Sequence, residues 1–210
     1  DYLQRVKVDF GLVAVLESAL EGVRIISVAV RTTYTGKAGT QNIFGEEQLA
    51  LDVLSDRILQ EEFGKNAEIG LIASEELPDE MKIGEGEFAV AYDPLDGSSL
   101  VDVNFSVGSI FGFYKTKSFI GVKGDEQLAS MIAVYGPRTT VFLTVKSGAA
   151  ATRGSGVVQL MLNGEGEFVL TKENLQVGEC KYFAPGNLRA CASRKEYLEL
   201  VNFWCEEQYT

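Results

Sequence analysis

The stretch Asp93-Pro94-Leu95-Asp96-Gly97-Ser98-Ser99 places two aspartates three residues apart around a turn that contains proline. Residues 88–92 before it and 105–114 after it are rich in aromatic and β-branched side chains, which is typical of strands. A bare Asp-x-x-Asp-Gly sequence is more often a solvated turn than a functional site. Here the turn lies between two apolar strands and therefore at a sheet edge, where functional residues are commonly placed.

The same stretch offers the oxygen ligands that hard cations prefer. Mg²⁺ binds carboxylate and backbone-carbonyl oxygens. Asp93, the carbonyl of Leu95 and Asp96 can converge on one cation if the chain folds tightly, which Pro94 favours by fixing its own φ. Three small residues that expose backbone N–H groups and hydroxyls, as in a phosphate-binding loop, follow directly: Gly97, Ser98 and Ser99. The stretch therefore predicts metal-assisted attack of water on a phosphate ester.

Composition limits the classes to which the chain can belong. Its 210 residues are 46% hydrophobic and 23% charged, which is ordinary for a globular protein of one large or two small domains. The net charge of −11 argues against binding to nucleic acid or to an anionic membrane surface. We therefore expect neither partner. An acidic protein can still bind an anionic substrate, because bound cations invert the local field.

The chain contains no histidine and three irregularly spaced cysteines, Cys180, Cys191 and Cys205. The absence of histidine excludes Ser-His-Asp and Cys-His catalysis and any histidine-ligated metal, so carboxylates are the acid–base groups available near neutral pH. The cysteine spacing fits neither a disulfide framework nor a zinc site, and we expect reduced, structural thiols.

Hydrophobic periodicity predicts helices first and strands afterwards. The first helical region, 3–32, is predicted as one helix or as two with a break near Gly22. Further helices are predicted at 44–63, ending at Gly64, and at 195–208. Strands are predicted at 68–73, 88–92, 106–115, 140–146, 157–162, 167–171 and 181–184, with loops at 36–40 and 147–156. This order is typical of a layered α/β (α+β) domain with a mostly antiparallel sheet.

Two further groups of acids are candidate site residues. Asp52 lies beside the apolar side of the helix predicted at 44–63, and a carboxylate there is either a misfit or a functional group. Asp56 lies one turn later on nearly the same side, so spacing alone does not choose between them. An acidic pair such as Glu75-Glu76 is usually solvated, but here it follows the apolar run 71–73 and therefore stands at a strand end.

The run from Val90 to Tyr114, VAYDPLDGSSLVDVNFSVGSIFGFY, resembles the signature of the fructose-1,6-bisphosphatase and inositol monophosphatase superfamily. Four other segments are more similar to its sedoheptulose-1,7-bisphosphatase branch than to its fructose-1,6-bisphosphatase branch: FGEEQLALDVLSD (44–56), SEELP (74–78), VYGPRTT (134–140) and FAPGNLRA (183–190). The resemblance covers nearly the whole chain and is weakest between residues 147 and 179.

The resemblance implies a sugar-phosphatase fold, with helices packed on a large, mostly antiparallel sheet. Residues 1–178 would form a metal- and phosphate-binding domain, and 179–210 would begin a smaller α/β sugar-binding domain that continues beyond this chain. The implied enzyme is a phosphoric monoester hydrolase that removes the 1-phosphate of sedoheptulose 1,7-bisphosphate. Fructose 1,6-bisphosphate is the alternative substrate, and a non-catalytic metal- or phosphate-binding module is the alternative of a different class.

The resemblance also implies roles for individual residues. Two or three Mg²⁺ ions, with Mn²⁺ as an alternative, would be bound by five residues: Glu75, Glu76, Asp93, Asp96 and, through its carbonyl, Leu95. The proton of the attacking water would pass to Glu76 and Asp52, directly or through Ser98. The backbone of Gly97, Ser98 and Ser99 would hold the transferring phosphoryl group. Asn187 would contact the substrate, although a simple turn explains it equally well. Glu46 matches a peripheral acidic position, or is a favourable charge in a first helical turn.

Three expectations concern the whole protein. The likeness implies a homodimer or homotetramer. We expect a cytoplasmic location, with the plastid as the alternative. The first residues lack both an initiator methionine and a signal-peptide pattern, which suggests that the native start is not included.

Overall fold

The computed structural model describes residues 8–33, 37–41, 47–146, 156–176, 178, 182, 185–207 and 209. The α-helices in these residues are α1 (Phe10–Thr32), α2 (Ala50–Gly64) and α3 (Lys195–Glu206). The strands are β1 (Lys37–Gln41), β2 (Glu47–Leu49), β3 (Ile69–Ser74), β4 (Met81–Lys82), β5 (Phe88–Asp96), β6 (Val107–Tyr114), β7 (Ala129–Tyr135), β8 (Thr139–Val145), β9 (Val157–Leu162) and β10 (Phe168–Leu175). Short 3₁₀ helices lie at Ser98–Val103, Gly124–Glu126 and Leu188–Ala192. No helix in the described part of the chain is long and apolar enough to cross a membrane.

Eight strands form one sheet in the order β10-β9-β8-β7-β6-β5-β3-β4. Neighbouring strands in it are antiparallel except β3 and β5, which run parallel with Ser74 opposite Tyr92. The layered α/β class with a mostly antiparallel sheet is therefore confirmed. β1 and β2 form a separate two-stranded sheet immediately before α2.

The core lies between one face of the large sheet and the helices α1 and α2. Along β6, β7 and β8 buried residues alternate with more exposed ones, as expected for strands packed on one side. A series of aromatic contacts runs from α2 into the sheet through Phe63, Tyr92, Phe111 and Phe113. This series holds β5 and β6 against α2.

Gly22 does not break the first helix, which runs without interruption from Phe10 to Thr32. A Cβ atom at Gly22 would lie 2.5 Å from Cδ2 of Leu59. The glycine therefore allows α1 and α2 to approach closely, and of the two predicted alternatives the single helix is the one that the described residues form.

Several predicted boundaries also differ from the structure. The second helix begins at Ala50, because residues 47–49 pair with 37–41 as a short sheet, so most of the predicted loop 36–40 is a strand. Strand β5 continues to Asp96 through an irregularity between Asp93 and Asp96. Strand β7 was not predicted. Three predicted features lie wholly or mostly outside the described residues. They are Glu46, the loop at 147–156 and the strand at 181–184.

The chain divides into two compact units, Asp1–Leu175 and Gln176–Thr210. In the second unit the Leu188–Ala192 helix precedes α3, and the Tyr197 hydroxyl donates a hydrogen bond to the Gly186 carbonyl. Cys191 is half-buried and Cys205 is exposed, and neither is in a disulfide, whereas Cys180 lies outside the described residues. The functional roles predicted for the two domains stay predictions.

Candidate active site

The parallel strands β3 and β5 end on the same side of the sheet, and both carry acidic residues there. We call the carboxyl ends of these two strands, with Glu75, Glu76, Asp93 and Asp96, the acidic edge. Glu75 directly follows β3, and its backbone N–H donates to the Tyr92 carbonyl at 3.1 Å. Asp93 is the next residue of β5, and its side chain is in hydrogen-bonding contact with that of Glu75. Since ligand sites of parallel strands form at their carboxyl ends, this contact marks the expected position of a site.

The Asp93 carboxyl group is strongly perturbed in this position. Burial is the largest of the causes that together raise its pKa to about 8, and the hydrogen bond and charge of Glu75 and the charge of Asp96 add to it. The Leu95 backbone N–H, which donates to Asp93 Oδ1 at 3.0 Å, opposes the rise. At neutral pH Asp93 therefore retains a proton, which a divalent cation could replace.

The oxygen-only character of the Glu75–Asp93 pair fits a hard cation such as Mg²⁺. Asp96 is exposed at the end of β5 and raises the local negative charge. Among the described residues no three acidic or cysteine side chains surround one cation position. The structure thus assembles two of the predicted carboxylates as a pair, and the full ligand set of Glu75, Glu76, Asp93, Leu95 and Asp96 stays a prediction.

A buried serine on β6 is hydrogen-bonded to the backbone of the proline turn. The Ser109 hydroxyl donates to the Pro94 carbonyl at 2.8 Å and lies 2.7 Å from the Tyr135 hydroxyl. Burial raises the pKa of Tyr135, so its phenol stays neutral. These contacts satisfy the buried carbonyl and fix the turn that carries both aspartates.

The small-residue run begins at Gly97, which has a φ of 79°. This left-handed conformation costs glycine little and reverses the chain into the Ser98–Val103 helix. The Leu100 N–H donates to the Gly97 carbonyl at 2.8 Å. Ser98 is half-buried and Ser99 is exposed, so the run extends from the acidic edge to the solvent.

Asp52 lies on α2, beside this run. Its Oδ2 accepts the Leu49 backbone N–H at 2.8 Å, which caps the helix, and the Ser98 hydroxyl lies within hydrogen-bonding reach. Burial raises the pKa of Asp52, and the hydrogen bonds from Leu49 and Ser98 oppose this effect. A carboxylate that is buried beside the predicted phosphate loop has the surroundings of a general base.

Asp56 has different neighbours, although its spacing suggested the same side of the helix. Its Oδ1 accepts the Tyr92 hydroxyl at 3.0 Å, and its Oδ2 accepts the Gln60 side-chain amide. The structure therefore separates the two alternatives: Asp52 faces Ser98, whereas Asp56 faces the aromatic contacts beneath β5.

Asn187 lies in the second unit, with a φ of 46°, at the start of the Leu188–Ala192 helix. This local geometry is that of a turn residue, and its predicted substrate contact stays a prediction. The supporting side chains Tyr92, Ser109 and Tyr135 were not predicted. Only Ser109 could have been recognised from the sequence: it stands at an inward-facing position of an apolar strand, and a buried hydroxyl requires a hydrogen-bond partner.

Comparison with known proteins identifies the family. The family model described as Fructose-1-6-bisphosphatase, N-terminal domain, matches residues 3–173. Sedoheptulose-1,7-bisphosphatase, chloroplastic, from Spinacia oleracea is 39% identical over 213 residues, which cover 100% of this chain and 54% of that protein. Fructose-1,6-bisphosphatase class 1 from Syntrophotalea carbinolica is 40% identical over 193 residues, which cover 90% of this chain and 58% of that protein. The chain thus spans about half the length of these relatives.

Two solved structures have the same fold. A crystal structure from Toxoplasma gondii, provisionally assigned as a sedoheptulose-1,7 bisphosphatase, matches with a TM-score of 0.89 and 31% identity, covering 100% of this chain and 69% of that one. Leishmania major fructose-1,6-bisphosphatase in holo form matches with a TM-score of 0.70 and 25% identity, covering 82% and 57%. The family model matches most of the chain, and the Toxoplasma structure spans all of it. This chain therefore belongs to the fructose-1,6-bisphosphatase family.

Proposed function

We propose that the protein is a metal-dependent sugar bisphosphatase that releases the 1-phosphate of sedoheptulose 1,7-bisphosphate. The observation that supports this most directly is the contact between Glu75 and Asp93 beside the glycine-serine turn. Fructose 1,6-bisphosphate is the second candidate substrate, because relatives named for the two sugars are 39% and 40% identical to this chain. Either substrate makes the protein a phosphoric monoester hydrolase.

Glu75, Asp93 and Asp96 would hold the cations, together with Glu76 and the Leu95 carbonyl. When bound, two or three Mg²⁺ ions, or Mn²⁺ in their place, would acidify a water molecule and neutralise charge on the phosphate. The pair is suited to this task because the half-buried Asp93 carboxyl group loses its proton at neutral pH only when a cation compensates its charge.

Asp52 would accept the proton of the attacking water through Ser98, whose hydroxyl lies within reach of its carboxylate. A carboxylate with a raised pKa is a stronger base than an ordinary aspartate and so retains the proton more readily. Glu76 is the second candidate base. Backbone N–H groups of Gly97, Ser98 and Ser99 would bind the transferring phosphoryl group as its charge develops.

Other features of the proposed function concern the whole protein. Asn187 and the second unit would contact the sugar, and the enzyme would act as a homodimer or homotetramer. We propose the cytoplasm as its compartment. The plastid is the alternative, because the Spinacia oleracea relative is named as chloroplastic.

The test is steady-state phosphate release by the full-length protein from both bisphosphates, with and without Mg²⁺. We expect Mg²⁺-dependent turnover, with sedoheptulose 1,7-bisphosphate preferred, and inhibition by millimolar Ca²⁺ because its larger and more flexible coordination shell fits an octahedral site poorly. Preference for the fructose substrate would select the second candidate. Metal binding without turnover of either substrate would instead favour the non-catalytic module.

A further inference from the structure

Tyr92 contacts the acidic edge of the sheet through both its backbone and its side chain. We infer that Tyr92, together with Asp56 and Ser74, is a positioning group that holds the Glu75-Glu76 segment in the geometry required for metal binding. The inference rests on the proposed function, because it concerns the cation that Glu75 and Asp93 would share. None of the three side chains was predicted to have this role.

Tyr92 controls the two backbone amides of the acidic pair by two routes. Its carbonyl accepts the Glu75 N–H directly at 3.1 Å. Its hydroxyl lies within hydrogen-bonding reach of the Ser74 hydroxyl, and the Ser74 oxygen accepts the Glu76 N–H at 3.2 Å. Since Asp93 is the next residue in the chain, one residue sets the positions of acids on both strands.

The direction of the hydrogen bonds is set by their far end, at Asp56. Both oxygens of its carboxyl group accept hydrogen bonds, one from Tyr92 at 3.0 Å and one from Gln60. Tyr92 therefore uses its only proton on Asp56, and its oxygen is left to accept from Ser74. Ser74 in turn donates to Tyr92 and accepts from the Glu76 amide. Tyr92 and Ser74 thus each donate one hydrogen bond and accept one, which leaves a single direction for every bond in the series.

Packing holds the tyrosine ring independently of its hydroxyl. The ring lies edge-on to Phe63, with 5.5 Å between centroids, and stacks with Phe111 at 6.3 Å. Phenylalanine would fill the same space and would need no buried acceptor. Tyr92 and Asp56 are only 5% and 6% exposed, and a hydroxyl and a carboxylate are costly to bury unless they satisfy each other. Their use here, directly beneath the acidic edge, indicates a role in orientation in addition to packing.

The network also connects three separate elements. Asp56 lies on α2, Tyr92 on β5 and Ser74 at the end of β3. The same helix carries Asp52 to the Ser98 hydroxyl. The Asp56–Tyr92 bond therefore holds α2 in register with the strands that carry the metal-binding acids.

The test is direct metal binding by the full-length protein without substrate, measured by calorimetric titration with Mg²⁺ and with Mn²⁺. Tyr92→Phe removes the hydroxyl and keeps the ring, and Ser74→Ala breaks the same series of bonds at its other end. Groups that orient metal ligands are typically worth about 10- to 100-fold in metal affinity. We expect each variant to weaken binding at least about tenfold, and the double variant to bind no more than about twofold more weakly than the weaker single variant.

Tyr114→Phe is the matched control, because it makes the same chemical change at the far end of β6, away from the acidic edge. It should bind metal as the wild type does. Wild-type affinity in Ser74→Ala would overturn the inference even if Tyr92→Phe failed to fold, as would fully additive losses in the double variant. If the wild-type protein bound neither cation, both the proposed function and this inference would fail. If the wild type bound metal and the Tyr92 and Ser74 variants bound it with the same affinity, only this inference would fail.

Discussion

The Ser98 hydroxyl lies within hydrogen-bonding reach of the Asp52 carboxylate, which connects α2 to the turn that follows β5. Asp56, on the same helix, is instead bonded to the Tyr92 hydroxyl. Two acids that share a helix therefore have different surroundings, one beside the candidate phosphate loop and one beneath the sheet. Their substitutions should therefore differ in their effect on stability.

Asp52→Asn should lower turnover by about 100-fold or more, the usual size of a lost general base. Its melting temperature should equal or exceed that of the wild type, because burial disfavours the charged form of Asp52 and asparagine can still accept the Leu49 N–H. Phosphate release and thermal unfolding measure the two effects. Asp56→Ala is the contrasting variant and should lower the free energy of unfolding by about 1–3 kcal/mol, since it leaves the Tyr92 hydroxyl without its acceptor. A large loss of stability in Asp52→Asn would contradict this division of roles.

Glu75→Gln and Asp96→Asn should each abolish metal-dependent turnover and leave the fold intact. Each change removes one negative charge from the candidate metal site without changing the side-chain volume. Turnover against Mg²⁺ concentration, together with circular dichroism, measures both outcomes. Glu85→Gln is the control for the change in charge, since Glu85 is exposed and paired with Lys82. Near-wild-type turnover with unchanged Mg²⁺ dependence in Glu75→Gln or Asp96→Asn would exclude the proposed ligand set.

Magnesium affinity should rise with pH and level off above about pH 8. The pKa of Asp93 is raised to about 8 by burial and by Glu75, so below that pH a bound proton must leave before the cation binds. The affinity should change by at most about tenfold per pH unit, as for release of a single proton. Calorimetric titrations in two buffers with different ionisation enthalpies count the protons released. An affinity that is constant between pH 6 and pH 8 would refute a proton bound to Asp93.

The same pKa has a consequence for stability without metal. A carboxyl group whose pKa is higher in the folded protein than in the unfolded chain stabilises the fold when protonated. This contribution is complete below the unfolded pKa, near 4, and is lost as the pH rises toward 8. The metal-free protein should therefore melt at lower temperature at pH 8 than at pH 6 insofar as Asp93 controls its stability, and Mg²⁺ should reverse the loss. Asp93→Asn should reduce this dependence on pH.

Ser109→Ala should both destabilise the protein and lower turnover. The change leaves the Pro94 carbonyl and the Tyr135 hydroxyl without their shared partner in the interior, at a cost of about 1–3 kcal/mol for each unsatisfied group. Chemical denaturation and phosphate release measure the two effects. Ser130→Ala, on the other face of the neighbouring strand β7, should stay within about 0.5 kcal/mol of the wild type. Equal effects of the two changes would show that Ser109 does not support the turn.

Much of the fold could be predicted because its determinants are local. The strands before and after the proline turn are both indicated by residue type. Strand β7 was missed because its less buried positions include Ile132 and Val134, so that apolar and polar residues do not alternate. At Gly22 the alternatives of one helix and of two stayed open, because the partner of Gly22, Leu59, lies on another helix.

The site itself was predictable only in part. Asp93 and Glu75 were recognised as acids at strand ends, but their contact depends on the parallel pairing of β3 with β5. Spacing placed Asp52 and Asp56 on one side of a helix and could not show which neighbour each would meet. The role of Tyr92 depends on the register that sets it opposite Ser74. Such assignments require the tertiary structure.

The parallel pairing of β3 and β5 also affects how the chain could tolerate changes in length. Because both strands run toward the acidic edge, the segment between them must cross back to the opposite edge before β5 begins. Residues added in its exposed part, near Pro78 and Asp79, would enlarge a surface loop. They would not alter the pairing of Ser74 with Tyr92, and so would leave Glu75 beside Asp93. In a tight antiparallel hairpin, the same insertion would separate the two acids. Here it would only lengthen the loop that connects their strands.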